Sequence, residues 1–233
     1  NITEAEMDSI NCVSKGKNQL FICNAAEGIY TYDTTSGLGM LEDAPGFAAM
    51  ALHYERIWGI NSANKLNTVY YSAESDYSNW KTTSENADAG KLEVTTFDGD
   101  GFVGIANVFD DILLYRRKTL FRITGTSPEN YQMKQIPASC GAVGPDAIAN
   151  NGRYSFYIGN DGIYSYDGIR ASIIENNRLR FLFENRINRN KLAISCAVIF
   201  DNKLYAAVPA DGSAHNNLII EYDIDSRVFN IRS

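Results

Sequence analysis

The chain has 233 residues, 45% hydrophobic, 21% charged and 12% aromatic with 14 Tyr, and carries a net charge of −7 with an isoelectric point near 4.9. Such a composition is that of an ordinary soluble globular protein, and the acidity excludes a nucleic-acid clamp, whose affinity comes from Lys and Arg neutralising phosphates. No apolar run approaches the roughly 20 residues that cross a bilayer, no signal peptide is expected, and four scattered cysteines do not make a disulfide scaffold.

The organising feature is a repeat. Gly28-Ile29-Tyr30-Thr31-Tyr32-Asp33 returns as Gly162-Ile163-Tyr164-Ser165-Tyr166-Asp167, with weaker echoes at Thr68-Val69-Tyr70-Tyr71-Ser72, Leu120-Phe121-Arg122-Ile123-Thr124 and Ile219-Ile220-Glu221-Tyr222-Asp223. Their spacing falls in the range that marks propellers and solenoids, and their β-branched and aromatic content suits strands. A second echo runs ahead of the first: Gln19-Leu20-Phe21, Arg56-Ile57-Trp58, Asp111-Ile112-Leu113, Arg153-Tyr154-Ser155 and Lys203-Leu204-Tyr205. Polar pairs or glycines precede it in four copies, as tight hairpins require; Tyr54-Glu55 alone lacks that chemistry.

In chain order, an extended lead-in precedes strands at 10–13, 19–25 and 29–35, with a short outer strand in the Gly/Pro-punctuated link 37–46. Strands at 47–54, 56–61, 67–74 and 91–96 follow, with a polar excursion over 75–90 riding on the rim. The third set is 102–109, 112–118, 119–125 and 131–136; the fourth is 147–149, 153–159, 163–167 and 169–174. A helix is expected over 177–187, where Leu179, Leu182, Phe183 and Ile187 recur at helical spacing behind an Asn cap. The last set is 192–200, 203–208, 218–223 and 228–231.

These sets predict an all-β fold: one β-propeller domain over 1–233 with five four-stranded blades at roughly 10–46, 47–101, 102–138, 139–176 and 190–233. The same pattern fits a five-blade portion of a larger propeller, and the chain opens on Asn1 rather than Met, which leaves room for further blades. The first strands are poor in bulk (Ala48, Ala49 and Ala51; Gly104 and Ala106; Ala147 and Ala149; Ala193, Ser195 and Ala197), as strands nearest a propeller axis should be. An open arc would expose large apolar faces, so closure or a partner is implied.

Chemistry-bearing groups are sparse. Of the two histidines, His53 ends a first strand and His215 lies in a loop; neither sits in a nucleophile, phosphate-loop or zinc motif, so no enzyme activity and no cofactor are predicted. Asp98 and Asp100, in Phe97-Asp98-Gly99-Asp100-Gly101, are weak metal candidates, since the rest of a calcium loop is absent and a rim turn explains them. Tyr77 and Trp80, in a loop that fails the sialidase Asp-box spacing, and Trp58 are weak candidates for stacking on a sugar. A hairpin turning at Lys17-Asn18 sets Cys12 opposite Cys23, as a cross-strand disulfide or, favoured by the burial tendency of cysteine, as two free thiols.

From Arg56-Ile57-Trp58 and Val69-Tyr70-Tyr71-Ser72 the sequence runs through Asn79-Trp80, Asp98-Gly99-Asp100-Gly101 and Leu120-Phe121-Arg122-Ile123-Thr124-Gly125. It continues to Cys140-Gly141-Ala142-Val143-Gly144-Pro145 and Asn160-Asp161-Gly162-Ile163-Tyr164, and over about 47–225 it resembles β-propeller structural proteins of tailed bacteriophage virions. The resemblance implies a non-enzymatic subunit of the tail or head-to-tail junction of a phage or prophage, made in the bacterial host cytoplasm. Its partners would be other virion proteins in a homo-oligomeric, nozzle-like ring that DNA passes without specific binding, an acidic lumen repelling phosphate. The alternative is a carbohydrate-binding, lectin-like or receptor-binding propeller with a glycan ligand; a propeller hydrolase is the least supported.

Overall fold

The computed structural model describes residues 7–62, 65–83, 88–95 and 99–232. Twenty strands form five separate four-stranded sheets, each with its strands in sequence order. Blade 1 holds β1 (Met7–Ser14), β2 (Lys17–Asn24), β3 (Gly28–Asp33) and β4 (Gly37–Met40). Blade 2 holds β5 (Ala49–His53), β6 (Arg56–Ser62), β7 (Lys65–Tyr71) and β8 (Gly90–Glu93). Blade 3 holds β9 (Phe102–Val108), β10 (Asp111–Arg116), β11 (Leu120–Thr124) and β12 (Gln132–Ile136). Blade 4 holds β13 (Ile148–Asn150), β14 (Ser155–Ile158), β15 (Ile163–Tyr166) and β16 (Ala171–Ile173). Blade 5 holds β17 (Cys196–Phe200), β18 (Lys203–Val208), β19 (Leu218–Asp223) and β20 (Phe229–Arg232).

The hairpin chemistry explains the up-and-down order. The turns Lys15-Gly16, Tyr54-Glu55 and Asp201-Asn202 have positive φ at both central residues, the geometry whose twist matches paired strands. Tyr54-Glu55 adopts it despite its composition. Ser75 N donates to the Glu55 carbonyl at 2.8 Å and Ser75 Oγ bonds the Glu55 carboxylate, so a following loop clamps this turn. Two local expectations change. The alanine-rich stretch from Leu192 begins as a 3-10 turn (Arg189–Ile194), with β17 starting only at Cys196, and a second 3-10 turn (Pro145–Ala147) leads into β13.

The chain divides into two compact units, residues 1–107 with 124–133 and residues 108–123 with 134–233. In the first unit Phe21, Cys23 and Ile29 of blade 1 pack on Phe47, Met50, Ile57, Tyr77 and Trp80 of blade 2. The first strands also meet there, Met50 N donating to Asp8 Oδ2 at 2.8 Å. In the second unit Phe156, Ile158 and Ile163 of blade 4 share a core with Leu204, Ala206, Ile220 and Tyr222 of blade 5. The same core takes Leu179, Leu182 and Phe183 from α1 (Asn177–Asn185), whose N-cap Asn176 accepts from Arg178 N at 2.9 Å and Leu179 N at 3.3 Å.

The link before blade 4 needs its glycines for close approach. Gly141 N donates to Arg117 O at 3.1 Å and Ala142 N to Arg116 O at 3.0 Å, and a Cβ on Gly141 would collide with the Arg116 carbonyl. Backbone here cannot move aside as a side-chain tip could. Gly141→Ala should therefore lower stability by about 1–3 kcal/mol in chemical denaturation. Asn176→Ala, which removes a cap and nothing else, should cost about 1 kcal/mol by the same measurement.

Candidate interaction surfaces

The aromatic residues singled out in the sequence are core residues. Trp58 is fully buried, its ring centroid 4.9 Å from Tyr71 and 4.9 Å from Tyr131. Trp80 lies 5.1 Å from the Phe47 ring and donates its indole N–H to Tyr77 O at 3.0 Å, while Tyr77 meets Phe21 edge-on at 5.9 Å. None of the three offers a free ring face, which stacking on a sugar requires. Asp100 is buried and Asp98 lies outside the described residues, among which no three His, Cys, Asp or Glu converge as a metal site would demand. His53 lies 4.3 Å from the Tyr54 ring, and His215 is exposed in a loop where Ser213 Oγ donates to its carbonyl at 2.8 Å.

The cysteine register differs from the expected one. The first hairpin turns at Lys15-Gly16, two residues earlier, because Gly16 takes a φ of +76°; Cys12 then faces Gln19 and Cys23 faces Asp8. All four cysteines are free thiols. Burial, with the nearby Asp8 charge, pushes the Cys23 thiol up to about 12, and burial also raises Cys140.

One polar cluster was not foreseen. Arg56, the first residue of β6, has a side chain 1% exposed, and both its terminal nitrogens are hydrogen-bonded while Nε is not. Its guanidinium donates to Ser72 O at 2.9 Å, Asp88 O at 2.8 Å, Asp88 Oδ1 at 2.6 Å and Glu74 Oε2 at 3.1 Å. Asp88 Oδ2 in turn accepts from Glu74 N at 2.7 Å. The cluster ties the long β7–β8 connection to the blade. Burial would raise the Asp88 carboxyl, but the bond from Arg56 and the one from Glu74 N outweigh it and hold Asp88 below its ordinary 3.8.

The most informative feature for function is which blade faces are covered. The second strand of a blade should be buried on both sides when another sheet lies on each face, and to alternate when one face is bare. β10 and β14 are buried at nearly every residue, as are Arg56 to Ile60 of β6. β18 alternates along its whole length, the first strands β1 and β17 alternate as well, and β2 does so over Leu20 to Cys23.

On blade 1 the pairing sets Met7 and Val13 on one face with Leu20, Ile22, Tyr30, Tyr32, Leu38 and Met40, and Met7, Val13, Tyr32, Leu38 and Met40 are exposed. Blade 5 sets Cys196, Val198 and Phe200 on one face with Tyr205 and Ile219; Phe200 is 71% exposed and Val198 56%. Glu221, buried on that same face, bonds Lys203 at 3.2 Å and Arg232 at 2.8 Å. Exposed apolar side chains gathered on one face, here among Ser9, Asn11 and Asn18 on blade 1 and Lys203, Glu221 and Arg232 on blade 5, mark interaction surfaces.

The remaining concavities flank α1. One of about 370 Å³ is lined by residues including Asp161, Ile173, Glu175, Leu179, Arg180 and Arg189. Another, of about 330 Å³ and mostly apolar, is lined by Asn177, Arg178, Phe181, Leu182, Arg186 and Ile231. No helix among the described residues is long and apolar enough to cross a membrane.

In three-dimensional comparison the chain is similar to a β-propeller, BBS1N, in the crystal structure of BBS1N in complex with ARL6DN soaked with lead: TM-score 0.56, 12% identity, 96% of this chain and 64% of that one. The mercury-soaked crystal of the same complex matches with TM-score 0.55, 10% identity, 98% of this chain and 65% of that one. The chain thus spans a little under two thirds of the length of these neighbours. No family model matches the sequence, and no curated protein matches it. At this identity the likeness carries the fold, and the fold is an all-β propeller of five four-stranded blades.

Arg56→Met should cost about 2–4 kcal/mol, with Arg56→Lys recovering only part, because one ammonium cannot serve four acceptors in a plane. Asp88 has a folded value below its unfolded one, so its contribution is present above about pH 4 and is lost as pH falls through the lower folded value. Acid unfolding curves should show that loss in the parent and a shallower one in Arg56→Met. Brief maleimide treatment of the folded chain, read by peptide mass spectrometry, should modify exposed Cys196 first and Cys23 and Cys140 only after unfolding.

Proposed function

We propose that this chain is a non-enzymatic structural or assembly component of a bacteriophage or prophage virion, acting in the tail or the head-to-tail connector as part of an oligomeric ring. The observation that carries this reading is the pair of bare apolar blade faces. A propeller blade left open on one side is a surface for another protein, and two such faces suit a building block held by more than one contact.

Three further features support it. The sequence resembles phage propellers along most of its length, from Arg56-Ile57-Trp58 to the helix before the last blade. The structural neighbour is a propeller crystallised in complex with another protein, ARL6DN, so protein contact is a use to which this fold is put. The net charge of −7 suits a wall past which DNA slides, since phosphate is repelled rather than retained. A glycan-binding role gains nothing from Trp58, Tyr77 and Trp80, whose rings are covered by other rings.

The test is incorporation into particles. Val198→Lys with Phe200→Glu changes two exposed residues and should leave the isolated chain folded. Quantitative mass spectrometry of purified particles should find the parent chain at a fixed copy number and the double variant reduced at least tenfold. Absence of the parent from particles, together with specific binding on a glycan array, would contradict the reading.

A further inference from the structure

Positive charge is concentrated in one place. Residues 177–191 hold five cations, Arg178, Arg180, Arg186, Arg189 and Lys191, against one acid, Glu184, in a chain whose net charge is −7. Arg186 is already satisfied by a two-point bond to Asp211, at 3.0 and 2.6 Å. Arg178 and, across the neighbouring groove, Arg227 have no acidic partner among the described residues, and both are exposed. Arg178 borders two concavities: Phe181 and Ile231, 61% and 39% exposed, line one, and Arg227 with Val228, 53% exposed, lines the other. The groove beside α1, taken with the concavity that adjoins it at Arg178, therefore offers exposed apolar side chains and two unspent cations.

The complementary surface is on the same chain. At the outer edge of blade 1, Leu38 and Met40 project from edge strand β4 on its bare face, 57% and 53% exposed. Beyond half-buried Leu41 come Glu42 and Asp43, both exposed and without an ion-pair partner among the described residues. Two exposed apolar side chains and two acids complement, in character and in sign, a surface of exposed apolar side chains with two arginines.

We propose that the groove beside α1 receives the outer edge of blade 1 from a second copy of this chain, Leu38 and Met40 seating against Phe181, Val228 and Ile231 while Glu42 and Asp43 meet Arg178 and Arg227. The contact joins unlike surfaces, so it repeats from copy to copy and builds a ring or an open filament rather than a two-fold dimer. It rests on the reading of the chain as an oligomeric building block and names the surfaces that would join the copies. The occupant is a copy of the chain because the edge of its own blade 1 carries two exposed acids beside exposed apolar side chains, complementary in charge to the two arginines.

Sedimentation velocity on the chain at up to about 100 μM and low salt should show concentration-dependent association, weakened at least tenfold when salt shortens the Debye length to about 3 Å. Arg178→Glu with Arg227→Glu should be monomeric, and so should Glu42→Lys with Asp43→Lys; each changes only exposed side chains, and circular dichroism checks folding. Mixing the two charge-reversed proteins should restore association, because one pairing of surfaces is then complementary again. A parent chain that stays monomeric, or reversed variants that do not rescue each other, overturns the proposal. Association that ignores all four substitutions also overturns it while leaving the building-block reading intact, since copies would then join elsewhere. Undiminished particle incorporation of Val198→Lys with Phe200→Glu, with self-association intact, would instead strike at the blade-face reading alone.

Discussion

A four-stranded sheet rich in tyrosine and β-branched residues has two faces, and water can be tolerated against only one of them. That constraint governs this molecule. In the first unit the inner face of blade 1, with Phe21, Cys23 and Ile29, is closed by Phe47, Ile57, Tyr77 and Trp80; in the second, blades 4 and 5 close on each other with α1 filling their shared core. Second strands buried on both sides and second strands that alternate record where covering stops. The ends of the covering, not a cleft with reactive groups, are where function is to be sought.

Much of this was legible in the sequence, because repeats, hairpin signals and period-2 alternation are local properties. Five sets of four strands and the capped helix behind Asn176 follow from them. The first hairpin shows the limit. Lys15-Gly16 and Lys17-Asn18 are both turn-like, and choosing between them needs the left-handed freedom of Gly16 and the pairing partners of Phe21 and Cys23, which no local pattern reveals. Moving the turn by two residues shifts the pairing by four and separates Cys12 from Cys23, yet leaves every side chain on its face.

Arg56 was opaque for a different reason. An arginine opening a strand looks like a solvated end, and only the folded chain brings Asp88, distant in sequence, to its guanidinium. Trp58, Tyr77 and Trp80 illustrate the converse, since aromatics that read as ligand platforms in a list of residues are the packing between blades. The alternation of β1 and β17 is one of burial and not of composition, since Cys196 to Phe200 is apolar throughout. Its meaning, a blade covered on one side, needed the contrast with β10 and β14, where apolar residues run on without a break.

The central claim is that the bare face of blade 5 is covered when the protein is at work. Cys196 lies on that face beside Val198 and Phe200, so it reports on the face without any substitution. The direct measurement is the rate at which this thiol is alkylated in the isolated chain and in purified particles. The account predicts a rate at least tenfold slower in particles, whereas an equal rate in both would show the face open to water and contradict it.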